Sequence, residues 1–213
     1  MKDYYDADIK ETPEGAAAKG YDRAALEATI KGAEPVRLGA ADQMADTPVH
    51  TQDDAPDCLL QSARMAEHRQ TGVDPGLEAY KDPAIEKGIY NPDKGTDLQG
   101  FADVMNGRPG IEAKLDNASG PQDIKSALDS GDSVIAGVDS YEFYKDQFNL
   151  EPNSGDHAVV MTGAEQAPDG HWNFAVNDPN FEQPNIPVDG DRFQAAWEKT
   201  DRAMLTVSGT GGA

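Results

Sequence analysis

The chain has 213 residues, enough for one compact domain with its own core or for two small ones. It carries 39 acidic and 18 basic side chains, a net charge of −21, which argues against the basic surface that nucleic acid or anionic lipid requires. One cysteine, Cys58, excludes an internal disulfide framework and any multi-thiolate metal site, and no apolar run approaches the roughly 18 residues of a membrane span.

Residues 1–46 are rich in Asp, Ala and Gly and poor in large apolar groups. They read as an acidic arm, partly disordered or propeptide-like, with one short helix capped by Asp22, carrying Leu26 and Ile30 on one face and stopped by Gly32. The start, Met1-Lys2-Asp3-Tyr4, has no apolar stretch behind a basic cluster. The expectation is a cytoplasmic protein, or one secreted without a classical signal peptide.

From Thr47 the pattern changes, and residues 47–208 read as the folded domain, with 209–213 as a tail. Thr47 to Asp57 is a loop, and a helix follows from Cys58 to about Thr71, capped by Asp57 and ended by Gly72. Asp74-Pro75 and Asp82-Pro83 each resemble a cap with a first-turn proline. Thr96 with Gln99 suggests a capping box, and Leu98, Phe101, Ala102 and Met105 give the stripe of an amphipathic helix. Ile111, Ala113 and Leu115 alternate as in a short strand, and Pro121 to Ser130 reads as a helix closed by Gly131.

The second half turns to strands. Ser133 to Val138 is a buried run, and His157 to Gly163 and Trp172 to Asp178 flank the turn cluster Gln166-Ala167-Pro168-Asp169-Gly170. These two should form an antiparallel hairpin. Asp191 to Lys199 reads as a short helix and Arg202 to Val207 as a last strand. Helices first and strands afterwards predict an α+β domain.

Cys58 falls in the first turn of its helix, where unpaired backbone N–H groups and the helix dipole favour a thiolate. Asp53, Asp54 and Asp57 oppose it with negative charge. On the hairpin, the register pairing His157 with Asp178 also pairs Val159 with Val176 and Met161 with Phe174, which makes one apolar face with a His–Asp pair at its open end. A competing register sets His157 against Asn177. Either residue can fix the histidine's tautomer and leave its other nitrogen to a thiol. Gln52, six residues before Cys58, offers an amide donor to an oxyanion. No calcium loop of the Asp-x-Asp-x-Asp-Gly type is present, and Asp189-Gly190-Asp191 reads as a turn before a helix. His50, His68 and His171 are scattered without ligand spacing, so neither a metal nor another cofactor is expected. His50, close to Gln52, is the one rival to His157.

Gln, Cys at a helix start, His at a strand start and then Asp or Asn, in this order, resemble the papain-like cysteine peptidases. The likeness is greatest to the bacterial branch of bacteriocin-processing (double-glycine leader) peptidases and their stand-alone relatives. It rests on Gln52 to Met65 (QDDAPDCLLQSARM), Gly131 to Val138 (GDSVIAGV), Gly155 to Gly163 (GDHAVVMTG) and Val176 to Asn180 (VNDPN). The resemblance implies a helical lobe led by the cysteine helix and packed on an antiparallel sheet. It implies Cys58 as nucleophile, His157 as base and acid, Asp178 as its orienter and Gln52 in the oxyanion hole. The expected partner is a protein or peptide substrate, in keeping with a peptidase or with a secreted bacterial effector or toxin. A catalytically inactive binding module, its acidic surface facing a basic partner protein, is the alternative.

Overall fold

The computed structural model describes residues 35–38, 44–52, 55–145 and 155–211. The helix expected around Leu26 and Ile30 lies outside these, as do Asp53 and Asp54. The cysteine helix α1 spans Cys58–Thr71, followed by α2 (Glu78–Glu86), a two-strand hairpin β1 (Tyr90–Asn91) and β2 (Gly95–Thr96), and α3 (Leu98–Asn106). Then come β3 (Ile111–Asn117), α4 (Pro121–Asp129), β4 (Ser133–Asp139), α5 (Ser140–Tyr144), β5 (Asp156–Gln166), β6 (Trp172–Asn177), β7 (Ile186–Asp189), α6 (Gly190–Glu198) and β8 (Ala203–Gly209).

Six strands form one antiparallel sheet in the order β3-β8-β4-β5-β6-β7. Its central strand β4 is buried on both faces, as its continuous apolar run requires. Alternation then divides the core. Val134, Ala136, Val138, Val159, Met161, Phe174 and Val176 face one way, against Ile124 and Leu128 of α4 and Phe193 and Trp197 of α6. Ile135, Ala158, Val160, Leu205 and Val207 face the other way, against Leu59, Leu60, Ala63 and Ala66 of α1 and Phe101 and Met105 of α3. Each large side chain fully buried in these layers contributes about 1.5–3 kcal/mol. The architecture is the α+β one expected, a helical lobe on an antiparallel sheet. No described helix is long and apolar enough to cross a membrane.

The packed part of the chain begins before Thr47. Met44 is 1 % exposed and belongs to the sheet's first core. Asn185 donates to the Ala45 carbonyl and Asn177 to the Thr47 carbonyl, both at 2.9 Å. Leu38 packs against Gly163, where a Cβ would lie 3.0 Å from the Leu38 Cβ.

Three helix starts differ from expectation. Asp74-Pro75 opens no helix; the carboxylate of Asp74 instead holds Arg64 and the Gly76 N–H. Asp82-Pro83 lies inside α2, whose second turn absorbs the proline. The cap of α3 is Asp97, which accepts from the Gln99 N–H, while Thr96 ends β2.

The hairpin register also differs. Met161 pairs with Val176 and Val160 with Asn177, two residues from the expected alignment, and a bulge between Met161 and Gly163 shifts the register by one more, setting Ala164 opposite Phe174. Because side chains alternate with period two, a shift of two leaves His157, Val159, Met161, Val176 and Asp178 on one face. A shift of one would have turned them to opposite faces.

Candidate active site

The entrance of α1 lies beside the start of β5. Ser62, one turn into the helix, donates its hydroxyl to the Ala158 carbonyl at 3.1 Å. Cys58 is half-buried. His157 pairs with Val138 on the β4 side and is 6 % exposed. Its Nε2 lies 2.8 Å from Oδ1 of Asp178, the residue directly after β6. An ionised carboxylate can only accept, so Nε2 carries the proton and Nδ1 is the nitrogen left to the thiol. Burial pulls the imidazole pKa down, but the charge and hydrogen bond of Asp178, together with the Cys58 thiol, outweigh it and hold the value at about 10.

Asp178 is 1 % exposed, and its carboxylate is fully engaged. Oδ1 also accepts the Asn180 backbone N–H at 2.9 Å, in an Asx turn. Oδ2 accepts the hydroxyl of Tyr144, from the short helix α5. Asn180 Nδ2 donates to that same hydroxyl at 3.0 Å. The Tyr144 ring is tilted beside His157, with centroids 5.8 Å apart. Asn177 is not the histidine's partner. Its amide is buried between the Thr47 carbonyl and the Asn185 N–H, where it anchors the chain entering the site.

Gln52 is tied to the far side of the site. Its N–H donates to the Pro179 carbonyl and its Nε2 to Asn180 Oδ1, both at 2.7 Å. Its Oε1 is buried and has no partner among the described residues. Gln61 of α1 reaches back to the Thr51 carbonyl at 2.8 Å. The loop bearing Gln52 is thus fastened both to the cysteine helix and to the turn after Asp178.

Asp57 departs from its expected role as cap. Its side chain makes no hydrogen bond to α1. The carboxylate is buried and points to Lys81 of α2, whose Nζ lies 2.9 Å from Oδ2. The negative charge beside the cysteine is therefore paired.

The structure brings two histidines together that are scattered in sequence. His50 Nε2 and His68 Nδ1 are 3.0 Å apart, and Asp74 Oδ1 lies 3.9 Å from His50 Nε2. Three potential metal ligands are thereby clustered. All three are already satisfied: the imidazoles bond to each other, and Arg64 takes both oxygens of Asp74. This corrects the reading of His50 and His68 as scattered, and separates His50 from the Cys58–His157 pair.

Sequence reasoning missed three residues here. Asn180 lay inside the quoted VNDPN run but without a role. Lys81 and Tyr144 carried no local signal, since only the folding of α2 and α5 brings them to the site.

A helical lobe whose first turn carries a cysteine, set against an antiparallel sheet whose histidine is held by an aspartate, defines a papain-like cysteine peptidase fold. Residues 44–204 match the Peptidase_C39 like family, and the chain belongs to it. A solved structure from Bacillus anthracis, described as a C39-like peptidase, is 15 % identical and superposes with a TM-score of 0.56, covering 82 % of this chain and 98 % of that one. The proform of the ragweed pollen allergen cysteine protease Amb a 11 is 11 % identical, with a TM-score of 0.56 over 84 % of this chain and 66 % of that one. No curated protein matches the chain.

Proposed function

We propose that this cysteine peptidase cleaves amide bonds of a protein or peptide through Cys58, His157 and Asp178, with Gln52 as an oxyanion donor. The reading is carried by one observation: His157 has Asp178 on Nε2 and Cys58 as its other partner, so the imidazole is fixed in the tautomer that serves a thiol.

In this mechanism His157 Nδ1 takes the Cys58 thiol proton, the sulfur attacks the amide carbonyl carbon, and the C=O electron pair moves to oxygen. The Gln52 amide and the Cys58 backbone N–H hold that oxyanion. Collapse of the tetrahedral species breaks the C–N bond, and His157 gives its proton to the leaving amine. His157 then takes a proton from water, whose oxygen attacks the thioester. The carboxylic product leaves, and the Cys58–His157 pair is restored. Acyl transfer to an amine instead of water uses the same groups.

The test is the pH dependence of Cys58 alkylation by iodoacetamide, read by intact mass in the native chain and in His157→Ala. Because Cys58 is the single thiol, each added mass reports this site. Rapid labelling that persists well below pH 7 and is lost in the variant supports the reading. Labelling that rises only near the ordinary thiol pKa of about 8.5 in both proteins overturns it and leaves a binding module.

A further inference from the structure

The residue before the cysteine is an aspartate, a poor neighbour for a thiolate. It is also placed where it would ordinarily fold back onto the first N–H groups of the helix and occupy them. The structure shows it doing neither. Asp57 has φ −98 and ψ 18, outside the extended conformation of a capping residue, and makes no side-chain hydrogen bond to α1. Its carboxylate is 4 % exposed and is turned to Lys81, at 2.9 Å. Lys81 in turn lies 5.1 Å over the ring of Tyr90 in β1. The hairpin that presents Tyr90 seats itself through Gly95, whose φ is 92 and where a Cβ would lie 2.9 Å from the Pro56 carbonyl oxygen. Thus α2 and the small hairpin close around the residue that precedes the nucleophile.

We infer that Lys81 is a positioning residue for the Cys58 nucleophile: it neutralises Asp57 and holds that carboxylate off the N-terminus of α1. The inference rests on the reading of Cys58 as nucleophile. The first-turn N–H groups and the helix dipole are then left to the thiolate and to the oxyanion that forms beside it. Among the described residues, charges act on Cys58 from two sides. His157, backed by Asp178, approaches from β5. The Asp57–Lys81 pair, closed over by Tyr90, stands at the helix entrance. With Lys81 removed, the Asp57 carboxylate keeps only the Tyr90 hydroxyl and its full negative charge, which disfavours the thiolate and competes for the helix N–H groups.

The experiment measures the pH midpoint of iodoacetamide labelling of Cys58 in the full chain, with thermal melts alongside. Lys81→Met raises the midpoint by about one pH unit or more, the size expected of an uncompensated like charge on the adjacent residue. Lys81→Arg keeps it, and Asp57→Asn combined with Lys81→Met brings it back toward the native value. Asp57→Asn alone leaves Lys81 unopposed and lowers the midpoint, an arm that stands even where Lys81→Met fails to fold. A native midpoint independent of His157 overturns the nucleophile reading itself. A His157-dependent midpoint that ignores Lys81 and Asp57, or one shifted equally in Lys81→Met and the double variant, overturns this inference alone.

Discussion

His157 Nε2 and Asp178 Oδ1 are 2.8 Å apart although their strands are offset by two residues from a direct pairing. Diagonal neighbours across a hairpin are separated by about 7–8 Å at the backbone, a span that a histidine and an aspartate bridge when both lean along the strands. The offset also leaves room beside the pair for Tyr144, whose hydroxyl takes the second carboxylate oxygen.

Tyr144→Phe removes one donor from a carboxylate that is shut away from water. A buried acceptor left short of a partner costs about 1–3 kcal/mol, more when charged. Urea unfolding should show a loss of at least that order. The loss should shrink when Asp178→Asn is already present, because the neutral amide has less charge to satisfy.

Gln52→Ala should lower kcat/KM on a cleaved fluorogenic peptide by about 10²–10³, the usual effect of losing one oxyanion donor. Iodoacetamide labelling of Cys58 forms no oxyanion and should proceed at the native rate. An equal loss in both assays would mean that Gln52 acts by holding Asn180 and the turn after Asp178 in place.

The His157 imidazole is held at about 10 in the folded protein, against 6.5 for a free histidine. The folded state therefore binds this proton more tightly than the unfolded chain. The resulting stabilisation is complete below pH 6.5 and is lost as pH rises through 10. Measured by urea unfolding, the advantage of the native chain over His157→Gln should be greatest at pH 6 and should decline steadily toward pH 10.

Arg108 donates Nε and Nη2 to the two oxygens of Glu67 at 2.9 and 2.8 Å, and Glu67 is 5 % exposed on the inner side of α1. Arg108→Met strands that carboxylate with the Tyr80 hydroxyl alone. Stability should fall by about 3–5 kcal/mol, as for other half-broken buried pairs. Replacing Glu67 and Arg108 together with Gln and Met should recover much of the loss in a melting experiment.

The sequence by itself marked the longer elements and their order. The capped, 3.6-periodic and alternating runs are local signals, and α1, α3, α4, β4 and the β5–β6 hairpin lie where those signals put them. Alternation along each strand also groups His157 with Val159 and Met161, and Asp178 with Val176, but the register that brings the two groups to one face stayed open by one residue in the sequence. The bulge near Thr162 was not legible, because a glycine in a strand permits a bulge without requiring one. The short helix α5 and strand β7 escaped notice because five and four residues are too few to show a period.

Only the tertiary structure decided what surrounds the candidate site. Tyr144 stands 34 residues from Asp178, and Lys81 stands 24 residues from Asp57. Such pairs are selected by the packing of α5 against the sheet and of α2 against α1, where a buried carboxylate must find its donors. No spacing along the chain encodes that choice, because the energy that makes it arises only once water has been excluded from both partners.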